Sequence, residues 1–172
     1  MQSIQTVSEN TIYVGASDRR LAKFENLFPI PRGVSYNAYV ILDEKTALLD
    51  TADASVGAQF LENVAAALDG RKLDYLIVDH MEPDHAAMIE AVLVRWPDLR
   101  LVVNAKTLPM LKMYFPTDSA AIDDALVVKE GDTLDLGKHK LTFVMAPMVH
   151  WPEVMMTFDT TTGTLFLSLI HI

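Results

Sequence analysis

A short apolar run is followed at once by a segment crowded with metal-binding side chains. The run, Leu73 to Val78, has the length and character of a buried strand. The next residues, 79–85, are Asp-His-Met-Glu-Pro-Asp-His. In α/β domains, ligands gather at the loops that leave the carboxyl ends of strands. This order predicts a buried strand followed by a functional loop at one edge of a sheet.

The rest of the chain alternates predicted strands with predicted helices. Ser55 and Asp84 are the predicted N-caps of the first two helices. The strands are predicted at 11–15, 34–42, 46–50, 73–78, 100–104, 127–128, 134–136, 140–145, 154–158 and 164–166, and the helices at 55–68, 86–94 and 107–115. No internal repeat or interdomain linker interrupts them. The order favours a single layered α/β domain with mixed sheets.

Composition narrows the classes of function. The chain has 172 residues, 51% of them hydrophobic, which suits one globular domain. Its net charge of −9 argues against nucleic acid and anionic membranes as partners, because both require a basic face. The absence of cysteine excludes disulfides, iron–sulfur clusters and thiolate zinc sites. The first residues lack the pattern of a signal peptide, and no apolar run could span a bilayer, so a cytoplasmic protein is expected.

The spacing of the ligand-rich segment suits two metal ions. His80 and Glu82 are two apart, and in extended backbone such side chains project to the same side. Asp84 and His85 lie about one turn further on and can hold a second metal. His150 lies in a proline-rich loop after the predicted strand 140–145, from which it can close the first site. The predicted ligands are carboxylates and imidazoles.

Several of these residues also have structural interpretations. Asp84 alone can be explained as a helix cap, although four titratable groups within six positions after a buried strand favour a metal site, because burying them unpaired would be costly. His139, between two lysines, is predicted to be exposed. Trp151 is predicted to serve packing rather than catalysis. A weaker hypothesis has methionines line the site; the candidates are Met81, Met145, Met148, Met155 and Met156.

The pattern His-x-Glu-x-Asp-His at 80–85, with the distal His150, resembles that of the flavodiiron proteins, also called A-type flavoproteins. The resemblance extends to residues 24–39, 48–51 and 150–153, and so covers nearly the whole chain. It implies a metallo-β-lactamase-like fold, a four-layer αββα sandwich.

The resemblance also implies the roles of individual residues. It assigns His80, Glu82 and His150 to one iron ion and Asp84 to the other. His85 matches a position that is a ligand in some members and turned away in others. Hydrolases of the same superfamily place a histidine where Glu82 stands. The additional carboxylate gives a harder, more anionic site that suits iron in redox chemistry.

By the same resemblance, the parent protein reduces dioxygen to water, or nitric oxide to nitrous oxide, at two non-haem iron ions. FMN, held by a flavodoxin-like domain, would supply the electrons. A head-to-tail homodimer would bring the flavin of one subunit to the irons of the other. The flavin would be reduced by rubredoxin, a deazaflavin or a flavin reductase.

Two other functions stay open at this point. One is a metal-dependent hydrolase of the metallo-β-lactamase superfamily that uses a metal-bound hydroxide, and Glu82 counts against it. The other is a non-catalytic interaction module, which would have no use for so dense a set of ligands.

The end of the chain departs from the resemblance. In the family, a bridging aspartate and a later histidine follow the counterpart of Leu165-Phe166, whereas here the sequence continues Leu-Ser-Leu-Ile-His-Ile. We therefore predict that residues 1–166 are part of a diiron domain and that 167–172 are a non-native, adapter-derived tail, in which His171 is not a ligand. Because part of the second iron's ligands and the flavodoxin-like domain are missing from this sequence, the chain is expected to bind iron weakly, to lack FMN and not to turn over.

Overall fold

The computed structural model describes residues 3–24, 26–116 and 119–168. The strands are β1 (Gln5–Ser8), β2 (Thr11–Tyr13), β3 (Ala16–Asp18), β4 (Lys23–Phe24), β5 (Phe28–Pro29), β6 (Val34–Tyr36), β7 (Tyr39–Leu42), β8 (Thr46–Leu49), β9 (Tyr75–Ile77), β10 (Arg100–Asn104), β11 (Leu126–Val128), β12 (Thr133–Asp135), β13 (Lys140–Met145), β14 (Met155–Asp159) and β15 (Thr164–Phe166). The helices are α1 (Gly57–Leu68), α2 (Pro83–Ala86), α3 (Ile89–Arg95), α4 (Thr107–Tyr114) and α5 (Ser119–Asp123), with a 3₁₀ turn at Ala54–Val56. Within these ranges no helix combines the length and apolar character that a bilayer span requires.

Seven strands form the larger sheet, in the order β1-β2-β7-β8-β9-β10-β11. Strands β1, β2, β7 and β8 pair antiparallel, whereas β8 to β11 pair parallel. Helices connect each parallel strand to the next, as parallel pairing requires. The carboxyl ends of β8, β9 and β10 therefore meet at one edge of the sheet.

The alternation of side chains along the central strands builds two cores. On β9, Leu76 packs with the helices, whereas its neighbour Ile77 faces the second sheet. Leu101 and Val102 divide in the same way on β10. The second sheet, β12-β13-β14-β15, is antiparallel throughout and contributes Phe143 to the inter-sheet core. Since successive strand residues point to opposite faces, each central strand serves both layers. The described layers are helix, sheet and sheet.

Both predicted helix caps are wrong. Asp53, not Ser55, caps the 3₁₀ turn before α1, because its Oδ1 accepts a hydrogen bond from the backbone N–H of Ser55 at 2.7 Å. The helix predicted at 86–94 is divided into α2 and α3, and Asp84 lies inside α2 rather than before it. Glu82 occupies the N-cap position of α2 and makes no capping hydrogen bond with its side chain. Both carboxylates of the motif are thus left available for other contacts.

The prediction of an exposed His139 is also wrong. Its side chain is buried, and its Nδ1 lies 2.8 Å from Oδ2 of Asp159. The backbone N–H of His139 donates to Asp43 Oδ2 at 2.7 Å. The turn places Gly137 at a φ of 125°, a conformation that side chains disfavour, and this brings His139 under the β7–β8 turn.

The predicted tail is described only in part. Leu169–Ile172, and with them His171, lie outside the described residues, so the origin of the tail stays a prediction. Ser168 is described. Its hydroxyl donates to Asp50 Oδ2, and its carbonyl accepts from Asn37 Nδ2 at 3.3 Å.

Candidate metal centre

The loops at the carboxyl edge of the parallel strands bring the predicted ligands together. Asp50 follows β8 and takes a positive φ of 55°. Its Oδ1 accepts hydrogen bonds from the backbone N–H groups of Asp79 (2.8 Å) and His80 (3.4 Å). Thr51 holds the far end of the segment, since its hydroxyl donates to the carbonyl of His85 at 2.5 Å. The loop after β9 is therefore fixed from both sides by the loop after β8.

Glu82 lies between two imidazoles. Its Oε2 is 3.0 Å from His80 Nε2 and 2.8 Å from His150 Nε2. One ligand atom of each residue lies within 4.8 Å of the others. His80 and Glu82 are buried, whereas the side chain of His150 is 51% exposed. The arrangement can hold a cation with one side open to solvent.

Asp84 and His85 form a second group beside the first. Both side chains are buried, and Asp84 Oδ2 lies 3.2 Å from His85 Nε2. Within the described ranges, neither carboxylate oxygen of Asp84 and neither ring nitrogen of His85 makes a hydrogen bond. The rings of His80 and His85 are 5.7 Å apart between centroids. Unsatisfied buried polar groups are costly, and a bound cation would remove that cost. These residues fit a second metal ion.

Glu153 supports the first group from behind. Its Oε1 lies 2.8 Å from His80 Nδ1 and accepts from the backbone N–H of Met81 at 3.0 Å. Burial acts to raise the pKa of Glu153, but these hydrogen bonds outweigh it and leave that pKa below its usual value. Burial acts to lower the pKa of His80, and contacts with the carboxylates of Glu153 and Glu82 outweigh it, so the net shift is upward. Both shifts reflect the contact between His80 and Glu153.

Two further buried carboxyls, those of Asp50 and Asp79, lie near the candidate ligands. Burial raises the pKa of Asp50 despite the nearby histidines. Burial, followed by the proximity of Asp50, raises the pKa of Asp79 well above its usual value, although the Thr157 hydroxyl donates to it at 2.9 Å. Sequence reasoning missed Glu153, Asp50 and Asp79 as parts of the site. The only signal for Glu153 was its position three residues after His150.

Cavities open on both sides of the ligands. One, of about 200 Å³, is lined by His80, His150, Met155 and Met156 among others. The hypothesis of lining methionines is met by Met155 and Met156. Met81 is buried, Met145 lines a different cavity and Met148 is exposed. Trp151 packs edge-on against His80, 5.5 Å between centroids, as expected of a packing residue.

The second cavity, of about 260 Å³, reaches Glu82 and Asp84 from the other side, past Phe24 and Tyr36. Burial, followed by the charge of Asp53, raises the pKa of Tyr36 to about 12. The Tyr36 hydroxyl is therefore neutral at physiological pH.

Comparison with known proteins identifies the family. Residues 34–171 match the model of the ODP family beta lactamase. The chain belongs to this family. It is 38% identical to "Putative diflavin flavoprotein A 1" of Thermosynechococcus vestitus, over 93% of this chain and 28% of that protein. It is 36% identical to "Nitric oxide reductase" of Moorella thermoacetica, over 88% of this chain and 38% of that protein.

Solved structures that superpose on this chain are also flavodiiron-type proteins. The flavodiiron protein of Giardia intestinalis superposes with a TM-score of 0.89 at 26% identity, covering 96% of this chain and 40% of the other. Rubredoxin oxygen:oxidoreductase of Desulfovibrio gigas gives 0.88 at 31% identity, covering 95% and 40%. These matches confirm the metallo-β-lactamase-like fold and the resemblance to flavodiiron proteins. The chain corresponds to part of their diiron domain and spans 28–40% of the length of the relatives named here.

Proposed function

We propose that this chain is the diiron part of a flavodiiron oxidoreductase, which reduces dioxygen to water, nitric oxide to nitrous oxide, or both. The observation that carries the proposal is the position of Glu82 Oε2 between the Nε2 atoms of His80 and His150. Relatives named as a nitric oxide reductase and as an oxygen oxidoreductase support it.

In this proposal, His80, Glu82 and His150 bind one iron ion, and Asp84, with His85, contributes to the second. Imidazole and carboxylate ligands without thiolate suit iron that changes oxidation state. Iron held by these residues would supply the redox chemistry for reducing the diatomic gas, with electrons from FMN. Asp50 and Thr51 hold the ligand segment rigid, so the ligand atoms need little reorganisation.

The surroundings of the ligands suit a small apolar substrate. Met155 and Met156 border the cavity beside His80 and His150, and apolar side chains there limit the entry of water. Tyr36 lies on the opposite side, near Asp84, and keeps its proton at neutral pH. A neutral hydroxyl can donate a hydrogen bond without adding negative charge to an already acidic site.

The proposal extends to the partners of the whole protein. We place the entry of electrons at the half-exposed edge of His150. FMN would lie in a flavodoxin-like domain, supplied by the partner subunit of a head-to-tail homodimer. A donor such as rubredoxin or a flavin reductase would reduce it, in the cytoplasm.

A metal-selectivity experiment separates this function from hydrolysis. The 172-residue chain is dialysed anaerobically against Fe(II) and against Zn(II), and the metal bound at equilibrium is quantified. We expect Fe(II) to bind at the His80 site, with ferrous spectra perturbed by nitric oxide, and no hydrolysis of ester or thioester substrates. Preferential zinc binding accompanied by hydrolysis would replace the proposal with the hydrolase alternative.

A further inference from the structure

The orientation of the His80 ring depends on a residue that is not itself a candidate ligand. Oε1 of Glu153 contacts both His80 Nδ1 (2.8 Å) and the backbone nitrogen of Met81 (3.0 Å). A backbone N–H can only donate, so Oε1 acts as an acceptor. In a neutral imidazole beside this acceptor, the proton lies on Nδ1 and the lone pair on Nε2. Nε2 is the atom that faces Glu82.

Glu153 is held in place independently of His80. The Asn104 side chain donates from Nδ2 to the carbonyl of Glu153 at 2.5 Å. Oδ1 of Asn104 accepts hydrogen bonds from the backbone N–H groups of Lys106 and Thr107 at the start of α4. The backbone N–H of Met155 donates to the carbonyl of Asp79 at 3.0 Å. The loop before β14 is therefore attached to the ends of β9 and β10, and Glu153 acts as a fixed acceptor.

Without Glu153, the ring proton would move to the wrong nitrogen. The remaining carboxylate acceptor in contact with the ring is Glu82, whose Oε2 is 3.0 Å from Nε2. A neutral His80 would then carry its proton on Nε2, directed at Glu82, and could not offer Nε2 to a metal. Two carboxylates thus compete for one ring proton, and the one behind the ring must prevail for metal binding.

A purely structural role explains the geometry less well. Oε2 of Glu153 is buried and makes no hydrogen bond within the described parts of the chain. A carboxylate placed only for stability would be expected to use both oxygens, because an unsatisfied buried oxygen is costly.

We propose that Glu153 is a positioning residue that fixes His80 in the tautomer with Nε2 free to bind a metal ion. The metal part of this inference rests on the proposed function, whereas the tautomer does not. Carboxylates that orient metal-binding histidines in this way are a general feature of metal sites, and their loss typically costs about 10–100-fold in metal affinity.

The test uses Glu153→Leu and Glu153→Gln in the 172-residue chain. Glu153→Leu removes the acceptor, and Glu153→Gln keeps its shape without the charge. The matched control is Glu130→Gln, which changes a carboxylate that accepts from the backbone N–H of Met145, away from the ligands. Circular dichroism checks folding. If Glu153→Leu does not fold, the measurements on Glu153→Gln decide the test.

The first measurement is the tautomer of His80, by nitrogen NMR of the metal-free chain at about pH 9, above the ordinary imidazole range. We expect Nδ1–H in the wild-type chain and in Glu130→Gln, and Nε2–H in Glu153→Leu. The second is the dissociation constant for Fe(II) or Co(II), by competition with a chromophoric chelator. We expect weakening of about 10–100-fold in Glu153→Leu, less in Glu153→Gln and none in the control.

The outcomes separate the inference from the function. A wild-type His80 protonated on Nε2, or a folded Glu153 variant with unchanged tautomer and metal affinity, would overturn the positioning role. If the tautomer changes as expected but the wild-type chain binds no iron, the positioning role of Glu153 stands and the proposed diiron function fails.

Discussion

Two buried histidine–carboxylate pairs lie at opposite ends of the hairpin formed by β13 and β14. At one end, His80 Nδ1 lies 2.8 Å from Glu153 Oε1. At the other, His139 Nδ1 lies 2.8 Å from Asp159 Oδ2. All four side chains are at most 4% exposed. By distance and burial alone the two pairs are indistinguishable.

Their surroundings differ. Asp159 uses both oxygens, because Oδ1 accepts from the backbone N–H of Thr161 and Oδ2 also accepts from the Thr162 hydroxyl at 2.6 Å. His139 also donates its backbone N–H to Asp43, which joins turns of the two sheets. The Glu153 pair instead leaves one oxygen unused, and its histidine faces two further candidate ligands. The two pairs therefore differ in whether both carboxylate oxygens are used and in whether the histidine faces further candidate ligands.

The largest expected effect comes from replacing Glu82, the candidate ligand between His80 and His150. In Glu82→Ala, we expect metal affinity to fall by more than the roughly 100-fold that loss of an outer carboxylate can cost, because Glu82 contacts both histidines directly. The measurement is the Fe(II) dissociation constant. Glu62→Ala, an exposed change on α1, is the control. Equal affinity in Glu82→Ala and the control would contradict a metal site here.

At the His139 end, replacing the carboxylate of Asp159 should lower the stability of the fold and leave metal binding unchanged. Asp159→Asn keeps the shape but weakens the contacts to His139 and Thr162, so we expect a loss of about 1–3 kcal/mol in the free energy of unfolding. Urea denaturation measures it, and the metal dissociation constant should not change. Asp135→Asn is the matched control, since its carboxylate is exposed and its loss should cost less than about 0.5 kcal/mol. A change in metal affinity in Asp159→Asn would show that the two ends are coupled.

The contribution of Asp159 to stability should also depend on pH. Burial acts to raise the pKa of Asp159, but hydrogen bonds from Thr162, His139 and Thr161 outweigh it and leave that pKa below its usual value. Stability from a depressed pKa is present above the unfolded pKa of about 3.9 and is lost as pH falls through the lower folded pKa. Urea midpoints measured at decreasing pH should therefore fall less steeply below about pH 4 in Asp159→Asn than in the wild-type chain. Parallel curves for the two proteins would contradict this contribution.

Much of the fold could be predicted because hydrophobic periodicity is local. The strands predicted at 100–104, 140–145 and 164–166 have the observed bounds, and the helix predicted at 107–115 differs by one residue. One error came from a competing local contact, and another from a tertiary contact. Ser55 is a good capping residue, but Asp53 reaches its N–H first. Lys138 and Lys140 marked His139 as exposed, although Asp159, 20 residues later in sequence, holds it inside.

The candidate ligands were accessible to sequence reasoning, and their supports were not. His80, Glu82, Asp84 and His85 are adjacent in sequence, so their chemistry is visible as a motif. Glu153 acts across 73 positions, and nothing in its sequence neighbourhood indicates which histidine it contacts. Such contacts depend on how β9 and β14 lie together, which local patterns do not contain.

The smallest expected effect lies one contact further from the ligands, at Asn104. This side chain accepts hydrogen bonds at the start of α4 through Oδ1 and donates through Nδ2 to the Glu153 carbonyl. Asn104→Asp keeps the acceptor at the start of α4 but replaces the donor with an oxygen that repels the carbonyl. We expect a loss of about 1 kcal/mol in stability, the usual worth of one hydrogen bond, and metal binding only a few-fold weaker.

Asn104→Ala is the comparison for that change, because it removes both the acceptor at the start of α4 and the donor to Glu153. If the two variants weaken metal binding equally while Asn104→Ala is the less stable, the effect on the metal comes from the Glu153 contact and not from the helix. If Asn104→Asp binds metal as the wild-type chain does, Glu153 keeps its position without Asn104. The acceptor behind His80 would then be held by other contacts, among them those with His80 and Met81 and the pairing of Met155 with Asp79.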